Sequence, residues 1–327
     1  MSIRLQRRQL LGMGLAASAW PVIGNAQAAW PTKPVTTVVP FPAGGGTDAF
    51  ARPFSAAFSK LTGQNLILDY RGGAGGTVGA SIAAKAPADG YNFFMGAVHH
   101  AIAPAMYPKL DYDLERDFVP LALMASVPFV LVVNPQKVTV PDFKGFLAQV
   151  RSNPGRMNFA SAGNVTAHQM AGELFKLQTQ TFITHIPYRG AGPALQDLMA
   201  GNVEMMFDGL GSSAQHIKSG RIKALMVAGS QRNPAFPDVP CAAELGLKDY
   251  NVSTWYGMWA PKGIPAAAQT AMLDVIKKAR ESTEVKTAWG NSGADFPPVS
   301  PTQFAEFISA ETKRWAGVVK ASGAKLD

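Results

Sequence analysis

Cysteine is almost missing from this chain: Cys241 stands alone among 327 residues. A single cysteine excludes an internal disulfide and a cysteine-based metal cluster, and it leaves Cys241 as a small residue suited to a core. Charge is sparse too. Asp, Glu, Lys and Arg make up 16% of the chain against 47% hydrophobic residues, the balance of a globular protein rather than a disordered one. Lys and Arg form no block beyond the first ten residues, which argues against a nucleic-acid groove. No G-K-[ST] follows a glycine-rich turn, so a P-loop is excluded. Gly79-Ala80-Ser81-Ile82-Ala83 and Gly290-Asn291-Ser292-Gly293-Ala294 lack the second glycine of a serine-hydrolase elbow. His168, His185 and His216 show no metal-ligand spacing.

Long apolar runs are few, and one stands at the start. Arg4, Arg7 and Arg8 precede the apolar stretch Leu10 to Ile23, and Ala26-Gln27-Ala28 has the form of a cleavage site. Residues 1–28 therefore read as an export signal, with a mature chain from Ala29. The run is short and broken by Pro21, unlike a membrane anchor. Arg7-Arg8-Gln9-Leu10-Leu11 also matches a twin-arginine signal, so two export routes stay open. Without these three arginines the formal charge falls from +8 to +5, mildly suited to an anionic ligand.

What the chain does have is glycine in the right places. The β-branched run Val35 to Val39 reads as a strand, and Phe50, Phe54, Ala57, Phe58 and Leu61 fall at helical spacing. Between them lies Pro40-Phe41-Pro42-Ala43-Gly44-Gly45-Gly46-Thr47-Asp48. Glycines at a strand-to-helix turn let backbone N–H groups approach a ligand closely. Thr47 or Asp48 can cap the helix, whose N-terminus carries partial positive charge. Such a turn is an anion site made of backbone, or else a plain connection. Pro53 points to a helix that starts late, near Arg52, or is irregular at its start.

The alternation continues. Asn65 to Asp69, Tyr91 to Ala97, Met157 to Ser161, Phe182 to Ile186, Val203 to Phe207, Ile222 to Ala228 and Val252 to Trp259 read as strands. Phe118 to Val133 reads as two strands with a crossing between lobes. Helices are expected near 78–85, 101–107, 141–151, 166–175, 190–199, 266–279 and 302–321. This is an α/β chain with mostly parallel sheets. Tyr70-Arg71-Gly72-Gly73-Ala74-Gly75 and Tyr188-Arg189-Gly190-Ala191-Gly192 each follow a strand, as do Gly44 to Thr47 and Gly163 to Thr166. Two lobes would thus each offer two glycine-rich turns at the carboxyl ends of their strands, where ligands of open sheets bind. The tryptophans at 255, 259, 289 and 315 suit core or hinge packing rather than a ligand cage.

Taken in order, Val39 to Asp48, Gly73 to Ala80, Ala88 to Tyr91, His168 to Phe175, His185 to Ala194 and Met206 to Asp208 resemble the Bug-type periplasmic solute-binding receptors of tripartite tricarboxylate transporters. The resemblance spans essentially the whole mature chain. It implies an α/β, two-lobed, type II-like periplasmic-binding-protein fold with a ligand cleft between lobes: residues 29–129 plus 256–327 as one lobe, 130–255 as the other. It implies a periplasmic monomer with no catalysis, cofactor or metal, which captures a small carboxylate for the transporter's membrane components. A rigid or aromatic dicarboxylate such as terephthalate is one candidate ligand, a flexible dicarboxylate the next. The expected site comprises Phe41, Ala43, Gly44, Gly45, Gly46, Thr47, Asp48 and Gly75 in one lobe, and Ser161, Gly163, Asn164, Thr166 and Gly190 in the other. Asp208 lies near the cleft and is expected to cap a turn or bond backbone. His99 and His100 depart from the small hydroxyl residues usual at that turn, and offer a second polar contact.

The rival reading is a secreted NAD(P)-dependent oxidoreductase. Gly44-Gly45-Gly46-Thr47-Asp48-Ala49 matches G-x-G-x-x-A, and Asp69 lies at the distance of a ribose contact. Against it, Pro40 to Ala43 intrude between the strand and the first glycine.

Overall fold

The computed structural model describes residues 30–164 and 166–322. The expected export signal, the start of the mature chain at Ala29, and Val165 lie outside the described residues.

The chain opens with strand β1 (Val35–Val39), helix α1 (Gly46–Thr62), β2 (Leu66–Tyr70), α2 (Thr77–Ala84), β3 (Asn92–Ala97) and α3 (His99–Met106). β1 is buried on both faces, Thr37 included, because β2 and β3 flank it in parallel and helices cover it. α1 begins at Gly46 and runs through Pro53, so the expected late start near Arg52 is wrong. Arg52 is exposed and Pro53 half-buried, while Phe50, Phe54 and Phe58 form the buried face. Burial of that face offsets the hydrogen bond that the proline denies to the turn before it.

Next comes β4 (Phe118–Val133), a single strand of 16 residues where two were expected. It belongs to both halves of the molecule. Phe118 to Pro128 pair with β9, and Phe129 to Val133 pair with β7 and β8. Pro128 sits at the exchange of partners, where a missing N–H disturbs the ladder least.

The second half runs α4 (Phe143–Ser152), β5 (Asn158–Ser161), α5 (Ala167–Thr179), β6 (Thr184–Pro187), α6 (Ala191–Ala200), β7 (Met205–Gly209), α7 (Leu210–Lys218) and β8 (Lys223–Val227). The chain returns through β9 (Ser253–Pro261) to α8 (Ala266–Glu281), α9 (Thr283–Gly290) and α10 (Pro301–Ser322). The strand order is β2-β1-β3-β9-β4-β7-β5-β6, with β8 on the free side of β4. The expectation of mostly parallel sheets is corrected. Strands β1–β2, β1–β3, β5–β6 and β5–β7 pair in parallel, but every pair involving β4 or β9 is antiparallel. The two crossing strands impose that.

Two helices had no expectation. α7 begins where β7 ends, with Gly211, Ser212 and Ser213, weak helix formers, in its first turn. Gly211 is there because a Cβ would lie 2.5 Å from the Phe50 ring. α9 is short and capped by Ser282, whose side chain accepts from Val285 N. Trp255, Trp259, Trp289 and Trp315 are all buried in the core, and Cys241 is buried and unpaired. Among the described residues, no helix is long and apolar enough to cross a membrane.

Candidate functional site

The loop from Pro40 to Gly45 is shaped by one carboxylate. Asp48, buried in the first turn of α1, accepts from Gly44 N at 2.8 Å, Arg52 Nε at 2.8 Å and the Tyr70 hydroxyl. The Asp48 carboxylate is thus a brace for the loop, and any ligand contact of this residue falls to its amide. The same bond occupies the Gly44 N–H. Besides the Ala43 amide, four remain at the helix start: those of Gly45, Gly46, Thr47 and Asp48 have no acceptor among the described residues. They are the orphan donors of a helix start, at the positive end of the α1 dipole.

Gly46 has a second constraint. A Cβ there would lie 1.9 Å from the Tyr256 hydroxyl, so the β9 ring presses directly on the helix start. Gly45 is different: its φ of −88° suits any residue, and the nearest atoms to a Cβ lie at 3.7 Å.

The second half brings up α6. Gly190, Ala191 and Gly192 pack on Pro42 to Gly45: a Cβ on Gly192 would lie 2.4 Å from the Ala43 carbonyl oxygen, and one on Gly190 2.8 Å from Pro42 Cδ. Gly75, in a 3-10 turn at Ala74–Gly76, faces the Asn164 carbonyl across the gap, 3.5 Å from a Cβ. The lobes therefore meet around the expected loops.

Two spaces lie between them. An inner cavity of about 20 Å³ is lined by Phe41, Gly45, Gly46, Thr47, His99 and His168, with Ala162, Ala191 and Tyr256. That is room for about one water molecule. An outer cleft of about 720 Å³ runs from Phe41 and the Gly72 to Gly76 turn across to Gly163, Asn164 and Gly190. Among the expected residues Phe41, Gly45, Gly46, Thr47 and His99 line the inner space, and Gly75, Gly163, Asn164 and Gly190 the outer one.

The polar side chains sort differently from expectation. His100 is fully buried and committed: Nδ1 lies 2.9 Å from the Ala97 carbonyl and Nε2 3.3 Å from that of Gly76. Burial lowers its pKa to about 4. It supports the glycine turn and is not free for a ligand. The Ser161 hydroxyl bonds the Gly163 carbonyl, the Gly163 amide and His185 Nε2, the last at 2.6 Å. Thr166 donates to the Gly163 carbonyl and accepts from Gln169 N at the cap of α5. Both hydroxyls shape their loop and have no hydrogen left for a ligand. Asp208 neither caps a turn nor bonds backbone: it accepts from His168 Nε2 at 2.9 Å and from the hydroxyls of Ser212 and Ser213 at 2.6 Å each.

His99 is the opposite case to His100. Both its ring nitrogens are buried without a partner, and Phe41 and His168 pack against the ring at centroid distances of 5.0 and 5.5 Å. Burial drives its pKa far down, with His168 and His100 adding to the effect. His168 and Tyr256 were not among the expected site residues. The signal for His168 was its place in the first turn of α5 directly after the glycine loop; nothing local marked Tyr256, which arrives from a distant strand.

Among the described residues the arrangement offers backbone donors, two imidazoles and no lysine or arginine in the inner cavity. It can hold an anion by hydrogen bonds without neutralising it.

A family model described as the tripartite tricarboxylate transporter family receptor matches residues 50–324. The UPF0065 protein in the tcbD-tcbE intergenic region of Pseudomonas sp. (strain P51) is 38% identical over 315 residues, covering 96% of this chain and 94% of that protein. Protein BugT of Bordetella pertussis is 36% identical over 299 residues, 91% of each. Among solved structures, the periplasmic binding protein BugD superposes with a TM-score of 0.86 at 29% identity, over 90% of this chain and 99% of that one. MatC from Rhodopseudomonas palustris with bound malate gives 0.82 at 34% identity, over 89% and 100%. R. palustris Rpa4515 with adipate gives 0.86 at 33% identity, over 91% and 100%.

Proposed function

The chain belongs to the tripartite tricarboxylate transporter receptor family, and from that premise we propose that it captures a small dicarboxylate between its lobes for uptake by a tripartite transporter. It is a solute-binding receptor of the periplasm and not an enzyme, which ends the oxidoreductase reading.

The observation that carries the ligand class is the set of four unaccepted amides from Gly45 to Asp48 at the start of α1. Each charge-assisted hydrogen bond to a carboxylate contributes about 1.5–3 kcal/mol. The malate and adipate carried by MatC and Rpa4515 support a dicarboxylate. Terephthalate remains a candidate on the strength of the apolar Phe41 ring and the outer cleft. We divide the lobes as 29–129 plus 256–327 and 130–255, because β4 trades partners between Pro128 and Phe129. β9 rejoins the first sheet at Ser253, a little before that division. In this reading one ligand carboxylate sits on the α1 amides, and closure of the second lobe buries it and presents a surface the membrane components distinguish. We take the receptor to be monomeric and its export signal to be removed after Ala28.

The test is a melting curve of the chain from Ala29 against acetate, succinate, malate, adipate, terephthalate, citrate and NAD(H). A ligand at a thousand times its Kd adds roughly 4 kcal/mol. A shift with one or more dicarboxylates supports the reading. Failure of every acid at millimolar concentration overturns it.

A further inference from the structure

A further cleft is formed by β4, α8, α9 and the segment after α9. It holds about 450 Å³, within the roughly 300–1,000 Å³ of small-molecule sites. Leu121 and Ala122 of β4, Leu273 and Ile276 of α8, and Phe296 and Val299 beyond α9 make its wall apolar. It shares no lining residue with the inner cavity or the outer cleft between the lobes. Its charged lining is Lys277, Arg280, Lys286 and Glu281, three positive groups to one negative.

Arg280 is the unusual member. It stands in the last turn of α8 and is only 9% exposed. Its Nη2 donates to the Leu123 carbonyl, where the register of β4 against β9 shifts, and its Nε is buried without an acceptor. Among the described residues no carboxylate pairs with Arg280, Lys277 or Lys286, and Glu281 pairs with none of them. The Leu123 carbonyl and the end of the α8 dipole offer the buried cation partial negative charge only. A buried guanidinium without a counterion costs free energy. Burial lowers its pKa to about 10, which leaves it charged at neutral pH. The bond to Leu123 uses one donor of five. A neutral donor would serve that carbonyl at lower cost, and would need no lysines at the mouth.

We propose that this cleft is a second ligand site, which takes a small organic anion with an apolar body, of the medium-chain or aromatic monocarboxylate class. The body lies on the apolar wall, and the carboxylate supplies the counterion that Arg280 lacks. Lys277 and Lys286, both exposed, draw anions to the mouth. Both parts of the ligand are required. An uncharged apolar body leaves Arg280 uncompensated, and an anion without an apolar body leaves the wall in water. The site is independent of the receptor reading, since neither the α1 amides nor closure of the lobes enters it.

The experiment is isothermal titration of octanoate on the chain from Ala29 at neutral pH, with and without excess adipate. Octanol and acetate serve as probes that each lack one part. Octanoate is expected to bind at one site, about tenfold or more tighter than either control, and to keep its affinity in excess adipate. Arg280→Met keeps the length and apolar packing of the side chain. Its octanoate affinity is expected to fall about 10- to 150-fold while that for octanol holds or rises. Lys277→Glu combined with Lys286→Glu alters two exposed residues and leaves the wall intact, so it decides the matter if Arg280→Met does not fold. It is expected to weaken octanoate severalfold, and less so at high salt. Octanoate that does not bind, that binds no tighter than octanol, that adipate displaces, or whose affinity neither variant changes overturns the proposal. Failure of octanoate together with self-association of the chain in sedimentation would assign the cleft to a second copy, and overturns it equally. None of these outcomes touches the receptor reading.

Discussion

Gly192 offers a sharp test of closure. It is the second residue of α6, and a Cβ added there lies 2.4 Å from the carbonyl oxygen of Ala43 in the other lobe. An ordinary contact needs about 1 Å more. The clash exists only while the lobes touch; when they part, the methyl faces solvent. Gly192→Ala therefore raises the energy of the closed form alone. Overpacking of this kind costs about 1–3 kcal/mol. If ligand binds the closed form, affinity falls by about 5- to 150-fold. Alanine is at the same time the better helix former, by up to about 1 kcal/mol in a helix interior. The ligand-free melting temperature should therefore hold or rise while binding weakens. The assay pairs a melting curve with titration of whichever diacid binds, and Gly317→Ala in α10 is the control. Its Cβ meets nothing within 4 Å, so its affinity should stay within about twofold. An affinity loss below twofold in Gly192→Ala, or one matched by loss of ligand-free stability, would refute the reasoning.

Two further outcomes are expected. Gly46→Ala drives a methyl into the Tyr256 hydroxyl at 1.9 Å and should lower stability by about 1–3 kcal/mol or more. Tyr256→Phe removes the nearest atom but leaves ring carbon at 2.9 Å, so the double variant should recover part of the loss in denaturant unfolding; no recovery would mean that the β9 ring does not press on α1. The pH dependence of stability follows from His100. Its folded pKa is lowered from 6.5 to about 4, so the unfolded chain binds a proton that the folded one refuses. Stability is full above pH 6.5 and falls as pH drops toward 4, by about 2 kcal/mol at pH 5 from this group. His185, lowered to about 4 by burial, acts in the same direction. His100→Asn should flatten the decline of melting temperature between pH 7 and 5; an unchanged slope would contradict the assignment.

The α/β alternation and the family could be read from residue order, because the one rests on local pattern and the other on succession of motifs. The loop from Phe41 to Asp48 was legible for the same reason. Three glycines after a strand, followed by apolar helical spacing, mark free amides wherever they occur. The same local view misread β4 as two strands, since Pro128 signals a break unless a sheet changes partners there. It passed over α7, whose glycine is explained only by the Phe50 ring.

The polar residues of the site were beyond it altogether. Whether a histidine, serine or aspartate serves a ligand depends on which of its hydrogen bonds the rest of the chain has already taken. His99 and His100 are adjacent in sequence, yet His100 spends its nitrogens on Ala97 and Gly76 while His99 spends none. Asp48 lies inside the binding loop but bonds Tyr70 from β2, and Asp208 bonds a histidine 40 residues earlier. Residue order alone determined that this protein leaves backbone amides unpaired at the start of α1. Only the tertiary structure decided which side chains near them keep free hydrogen-bonding atoms, because hydrogen-bond capacity is finite and its partners are chosen by packing between segments far apart in the chain.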